Sequence, residues 1–566
     1  MRSRPLFFIV LAFLITLVFH IKGYSSDIFI FHQSIAEKSG ELLRRMVTEA
    51  GPPVNKEFRG VRIHSPIMLE RFYERRNFRL AWYGNDRPLA LTDDLVDVIE
   101  DAYHDGLVPE SYHIDSIKTL LREVRQNQEN KSSSDVDTLA ELDLLLTDAF
   151  FVLGCHYSAG CVNPITIEAE WFTDRGEVDL VAVLEQALDG GGIKQSLRQL
   201  MPSQDSYLRL RDALGRYRHI ASQGGWSTLA TGPLLKLGSS NERVAVLRER
   251  LTVSGDLPTY YNNEQVLFDD TLRQAVVRFQ KRHRLEDDGI VGPRTLQALN
   301  VSVEERVWQI MINLERLRWS SEKIGAQYVL VNIADFALAV IEDGQPVLTM
   351  KVVVGKPYWY TPVFNAKLTY IVLNPSWYVP KNIMGRDILP RIQKDRKYLY
   401  DNQFEVLRGW GQNEENMDPE KIDWSWVTAD NLQFRLRQGP SPLNPLGRIK
   451  FMFPNRFSVY IHDSPQKSLF KNNIRSFSHG CIRIEKPIEL AEYLLQGNRG
   501  WTQEKIIEAI QTGEEQTVAL SRPVNVFVLY LTAWVDENGV IQFRKDVYGR
   551  DKRLGTALLQ NQPTLH

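Results

Sequence analysis

The feature that most constrains this chain is a change of hydrophobic period near residue 328. Before it, apolar residues recur at helical spacing: Leu95, Val98, Ile99 and Ala102 make one stripe, and Leu142, Leu145, Leu146 and Ala149 another. After it, YVLVNI, FALAVI and VLTMKVVV are β-rich runs, with Asp343-Gly344 as a hairpin turn. LTYIVL (368–373), IKFMF (449–453), SVYIH (458–462) and VNVFVLYL (524–531) continue the trend. Helical and β layers in separate stretches predict a multidomain α+β protein, and 566 residues leave room for about three or four domains.

Composition narrows the class. With 43% hydrophobic and 24% charged residues the chain is neither disordered nor collagen-like, and it is not a multi-span membrane protein. The net charge of −2 gives no general reason to expect nucleic acid as a partner. Three cysteines exclude a disulfide-built scaffold. Arg2 and Arg4 precede Leu6 to Phe19, a run apolar apart from Thr16. It is short for a membrane span, which needs about 20 residues, and suits the core of an export signal. Residues 1–26 are therefore expected to be either a cleaved signal peptide or a retained signal-anchor that ties the chain to the inner membrane. The rest is expected outside the cytoplasm.

Residues 36–230 read as a mostly helical domain, with a helix stop and turn at Asp105-Gly106-Leu107-Val108-Pro109. Residues 234–301 carry two amphipathic helices and a short third. Val244, Leu247 and Leu251 make one apolar stripe, Leu272, Ala275, Val276 and Phe279 the next, and Asp269 or Asp270 is placed to cap the middle helix. By pattern alone this is a small helical bundle. Its Leu237-Gly238-Ser239, Phe279-Gln280, Leu285, Asp288-Gly289, Gly292, Thr295-Leu296 and Ala298-Leu299-Asn300 resemble the three-helix peptidoglycan-binding domain of bacterial wall enzymes. Within the β-rich part, residues 378–447 are polar, partly acidic and Trp-bearing. They are expected to form an insertion rather than a separate core, and to act as a mobile cap.

The sharpest chemical signal is Ser476-Phe477-Ser478-His479-Gly480-Cys481-Ile482-Arg483. A thiolate is the reactive form of cysteine, and a neighbouring imidazole can lower the thiol pKa. His462 ends the β-run Tyr460-Ile461-His462, and a nucleophile needs such a base within reach. His462, fifteen residues, then Ser478-His479-Gly480-Cys481-Ile482-Arg483 resembles the signature of the L,D-transpeptidase catalytic domain, the YkuD family. The order of parts is similar to the large periplasmic members of the YcbB type. The resemblance implies a β-sandwich catalytic domain over 326–548, a capping insertion at 378–447, a scaffold domain before it, and a tail at 549–566.

The resemblance also implies a reaction. Cys481 attacks the carbonyl of the third residue of a tetrapeptide stem, the terminal D-Ala leaves, and the amine of a second stem resolves the thioester into a 3→3 crosslink. His462 is the general base, with His479 tuning the thiol or orienting its loop. Gly480 lets substrate approach the backbone, and the Cys481 N–H, with Gly480 N–H or the Tyr460 side chain, holds the oxyanion. Arg483 suits a stem carboxylate, and Tyr460, Trp377 and Ser478 complete the substrate-binding set. Asp463 points to the other strand face, so a backbone carbonyl is the expected orienter of His462. No cofactor and no metal are expected, since HExxH and paired Cys-x-x-Cys motifs are absent. Peptidoglycan stem peptides are the implied partners, with wall synthases and carboxypeptidases as candidate protein partners.

Two alternatives remain at this stage. Water as acceptor makes the same thiol site a carboxypeptidase or endopeptidase, and loss of chemistry leaves a wall-binding scaffold. Cys155 and Cys161 lie about 240° apart on a continuous helix, so a disulfide requires a helix break, which Gly160 allows. Reduced, bridged and metal-bound readings all stay open for that pair.

Overall fold

A computed structural model describes residues 38–48, 57–58, 61–84, 87–130, 135–167, 171–172, 178–258, 266–319, 325–409 and 414–560. The Leu6–Phe19 run, and with it the signal or anchor segment, lies outside the described residues. Among the described residues, no helix is long and apolar enough to cross a membrane.

The N-terminal domain is built around the helix Val136–Ala159, which is buried on nearly every face. Leu142, Leu145, Leu146 and Ala149 lie in its core as the spacing predicts. Asp143 and Asp148 on this helix are buried as well, and each is satisfied by hydrogen bonds in place of water. Asp143 accepts from the N–H groups of Ala81 and Trp82 and from the Tyr73 hydroxyl. Asp148 accepts from the N–H groups of His64 and Ser65 and bonds the His113 ring at 2.8 Å.

Next comes the small bundle of Glu242–Val253, Asp270–Arg282 and Pro293–Leu299. Both predicted stripes are buried against each other. Of the two candidate caps, Asp269 takes the role: its carboxylate accepts from Leu272 N–H at 2.8 Å.

The β-rich part forms a sheet whose hydrogen-bond path closes on itself. Ile449–Met452 pairs with Ile461–His462, which runs parallel to Ile482–Ile484. The path continues through Gln345–Gly355, Ala337–Glu342, Gln327–Asn332, Gln516–Leu529 and Val363–Leu373, then returns to Ile449–Met452. Closure leaves no open edge along this path. Val329, Val331, Leu338, Val340, Ile371, Ile449 and Ile461 share its core. The short strand Ser476–Ser478 joins alongside Gln345–Gly355.

The insertion corrects one expectation, because it has a core of its own. Met384, Ile388, Ile392, Leu399, Phe404, Val406, Trp424 and Leu436 cluster beneath a four-stranded sheet of Trp377–Tyr378, Arg435–Gln438, Phe404–Arg408 and Glu415–Met417. These apolar residues are scattered through short helices and strands, so no single run reveals them. Two asparagines hold its base. Asn374 donates to the carbonyls of Ala509 and Ile510, and Asn444 donates to that of Pro375 at 2.8 Å.

One helix, Val303–Arg318, touches the N-terminal domain, the small bundle and the β-rich part. Ser302 and Glu305 close a capping box at its start. Arg306 donates to Ala298 O in the small bundle, Asn313 bonds Thr532 at 2.8 Å, and Arg316 pairs with Asp551 on the C-terminal helix Arg550–Gln560. At its end Glu315 accepts from Arg318 (2.9 Å), Val162 N–H (2.9 Å) and the Trp319 indole (3.1 Å). Arg318 reaches on to the Asp105 carbonyl and the Tyr207 hydroxyl. Both partners of this ion pair are fully buried, so removing one strands the other. Glu315→Ala is expected to cost about 3–5 kcal/mol in urea unfolding. A loss below about 1 kcal/mol contradicts a central role for this carboxylate.

Candidate active site

The parallel pairing of Ile461 with Ile482 and of His462 with Arg483 brings the two motif segments side by side. On its other side His462 faces Lys450 across the antiparallel pair. Paired residues share a sheet face, so Lys450, His462 and Arg483 project together, and Tyr460, two residues before His462, joins them. The Tyr460 and His462 rings stand 5.6 Å apart, and Lys450 Nζ lies 4.1 Å from the Tyr460 ring centre. Cys481 sits at the mouth of its strand, where Ile482 N–H donates to Tyr460 O at 3.1 Å.

The loop carrying Cys481 is tightly specified. Gly480 adopts φ +112°, which side-chain-bearing residues rarely occupy. Ser478 Oγ donates to the Cys481 carbonyl at 2.6 Å and accepts from Gly480 N–H at 3.2 Å. His479 Nε2 bonds the Asp387 carboxylate in the insertion and packs edge-on against Trp359, over which Arg386 lies. The insertion is thereby tied to the residue two before the thiol.

Cys481, His462, Tyr460, Ser478, His479 and Arg483 line one cavity of about 610 Å³, and Trp377, Ile383, Asp387 and Arg391 of the insertion roof it. Every site residue expected from the sequence is at this cavity except Gly480, which lies in the loop behind it. Asp463 does not serve His462: its carboxylate accepts from Arg448 N–H and Lys467 Nζ instead. His462 Nδ1 is buried, and backbone groups of Asp463 and Leu446 approach the ring and favour its protonated form against burial, in keeping with a backbone orienter. Arg483 Nη1 donates to Gln466 at 3.0 Å, while its buried Nε has no partner.

Burial sets the protonation of the pair. It pushes the His462 imidazole down to about 3, helped by the Arg483 charge, so the ring is neutral. Burial also raises the Cys481 thiol, against contacts with Tyr460 and the charges of Lys450 and Arg483, which lower it. The thiol and the imidazole that line this cavity are therefore both neutral at rest, in contrast to the expectation that histidine would lower the thiol.

Lys450 and Asp387 were missed by sequence reading. Lys450 had a visible signal, as the lone cation between buried Ile449 and Phe451 in a strand. Asp387 had none. Cys155 and Cys161 are half-buried and form no disulfide. Burial raises the Cys161 thiol, and Glu315 raises it further.

Residues 326–507 match the L,D-transpeptidase catalytic domain (YkuD), residues 68–214 a Scaffold domain, and residues 240–299 the "Putative peptidoglycan binding domain". A Haemophilus influenzae protein described as "Putative L,D-transpeptidase" is 32% identical over 269 residues, 47% of this chain and 53% of that one. The amidase CwlL of Bacillus licheniformis is 40% identical over 79 residues, 13% of this chain and 20% of its own. The chain thus spans about half the length of the first relative and a fifth of the second. Among solved structures, an L,D-transpeptidase from Mycobacterium smegmatis aligns at 13% identity over 36% of this chain and 58% of its own, with a TM-score of 0.17. One from Xylanimonas cellulosilytica aligns at 15% over 53% and 99%, with a TM-score of 0.16. The chain carries an L,D-transpeptidase catalytic domain with scaffold and peptidoglycan-binding domains, which implies a cell-wall or periplasmic location.

The raised thiol yields a test. Alkylation of Cys481 by iodoacetamide, read by peptide mass spectrometry, is expected to reach half its maximal rate above the ordinary thiol pKa of about 8.5. Tyr460→Phe removes a hydroxyl donor that favours the thiolate and moves the midpoint higher still. A midpoint below about 7 contradicts the neutral pair.

Proposed function

We propose that this protein is a peptidoglycan L,D-transpeptidase working through a Cys481 acyl-enzyme and forming 3→3 crosslinks in the periplasm. The supporting observation is that Cys481 and His462 line one cavity, on neighbouring parallel strand ends, under a roof supplied by the insertion. The matches over 326–507 and 240–299 point to the same substrate. We read 36–230 as scaffold, 234–301 as wall-binding module and 326–548 as catalytic domain.

In this mechanism the thiol proton passes to the neutral His462 ring as sulfur bonds the donor carbonyl. Transfer during bond formation avoids building a buried thiolate–imidazolium pair in the resting enzyme. The Cys481 N–H, aided by Tyr460, holds the oxyanion. The tetrahedral intermediate collapses, the C–N bond to the leaving D-Ala breaks, and His462 returns the proton to its amine. The acceptor amine then attacks the thioester, loses its proton to His462, and the thiol is released. Arg483 holds a stem carboxylate, Trp377 forms the groove wall, and His479 anchors the insertion through Asp387. Ser478 and Gly480 shape the loop.

Incubation of the purified protein with tetrapeptide muropeptides is expected to give 3→3-linked dimers by mass spectrometry, and Cys481→Ala none. His462→Ala is expected to slow turnover by about a hundredfold or more. Tripeptides without dimers turn the assignment to a carboxypeptidase, and unchanged products from Cys481→Ala reject the thiol mechanism.

A further inference from the structure

The peptide planes on either side of Cys481 are each held by a buried hydroxyl. Ser478 Oγ donates to the Cys481 carbonyl at 2.6 Å. Thr361 Oγ1 donates to the Gly480 carbonyl at 2.9 Å and accepts from Gly355 N–H at 2.9 Å. Thr361 is fully buried and does not line the cavity. It is braced in turn from beyond the matched catalytic segment. Tyr548 Oη donates to the Gly355 carbonyl at 2.5 Å, and Arg550 Nη2 donates to the Thr361 carbonyl at 3.3 Å.

In a trans peptide the C=O of one residue and the N–H of the next point in opposite directions. A hydroxyl that draws the Gly480 carbonyl inward therefore turns the Cys481 N–H away from Thr361, which itself does not line the cavity. No described residue accepts a hydrogen bond from that N–H. With φ +112° at Gly480, the loop lacks the steric limits that hold other residues, so the plane needs an external hold.

We propose that Thr361 is a positioning residue for acyl transfer, aiming the Cys481 N–H at the developing oxyanion by fixing the Gly480 carbonyl. The proposal rests on the reading of Cys481 as the acylated nucleophile. It makes a distinction that a merely structural role does not. Acylation passes through an oxyanion, whereas alkylation by iodoacetamide is a direct displacement at carbon with no oxyanion to hold.

The experiment compares the full chain with Thr361→Val, which keeps the shape and loses the hydroxyl, and Thr361→Ser, which keeps the hydroxyl. Acylation of Cys481 by a carbapenem, a strained β-lactam, is followed by intact mass, and alkylation by iodoacetamide is followed at matched pH. Thr361→Val is expected to slow acylation by about tenfold to a hundredfold, with alkylation within about threefold of the starting protein. In turnover, kcat falls and KM holds. Thr361→Ser is expected to acylate at close to the original rate. Equal acylation of Thr361→Val and the starting protein overturns the proposal. So does a parallel fall in both reactions, which marks general loosening of the site, or a Thr361→Ser variant as slow as Thr361→Val. Absence of acylation in the starting protein removes the nucleophile reading itself, and the proposal with it.

Discussion

The architecture depends on a carboxylate held where water cannot reach it. Glu315, near the end of the helix Val303–Arg318, accepts from a guanidinium, a backbone N–H and an indole that come from its own helix and the scaffold domain. A buried charge is tolerated only when such donors replace its hydration, so the surrounding chains must arrive together. Gly160 shows how close they come: a Cβ there would lie 2.6 Å from the Glu315 carboxylate and the Trp319 ring. The same helix meets the small bundle through Arg306 and the C-terminal helix through Arg316. Scaffold, wall-binding bundle and β-domain therefore share one axis, which sets the three parts relative to each other.

Around the cavity, charge is arranged to keep the resting pair neutral. Lys450 and Arg483 flank His462, and both oppose a proton on its ring. The same two cations favour negative charge on Cys481, but burial outweighs them. On the proposed mechanism, negative charge builds only once a substrate carbonyl is present to receive it. A thiol held protonated is also less open to oxidation, since the thiolate is the form oxidants attack. The roof contributes to the same seclusion, and its Asp387 reaches the nucleophile loop through His479.

Much of the fold was legible in the sequence, because periodicity reports which faces are buried. The stripes of the helix Val136–Ala159 and of the small bundle fall in cores as their spacing implies, and the β-runs are strands of one sheet. The insertion was misjudged because its core draws on residues such as Met384, Leu399, Trp424 and Leu436, which lie far apart in the chain. At the site, the motif exposed Cys481, His462 and their neighbours. Thr361 and Asp387 escaped notice, since each acts through a contact with a loop about a hundred residues away.

By itself the sequence determined the periods, the turn residues and the chemical groups available: a thiol, imidazoles and cations on strand ends, and a glycine before the thiol. These follow from local backbone preference and from the residue types themselves. Tertiary structure alone decided the protonation of the pair, the bonds that hold the Gly480 and Cys481 carbonyls, and the roof that makes a cavity over the strand ends. Burial, charge proximity and peptide-plane direction are set by what packs on a residue in space, and chain order carries no measure of that distance.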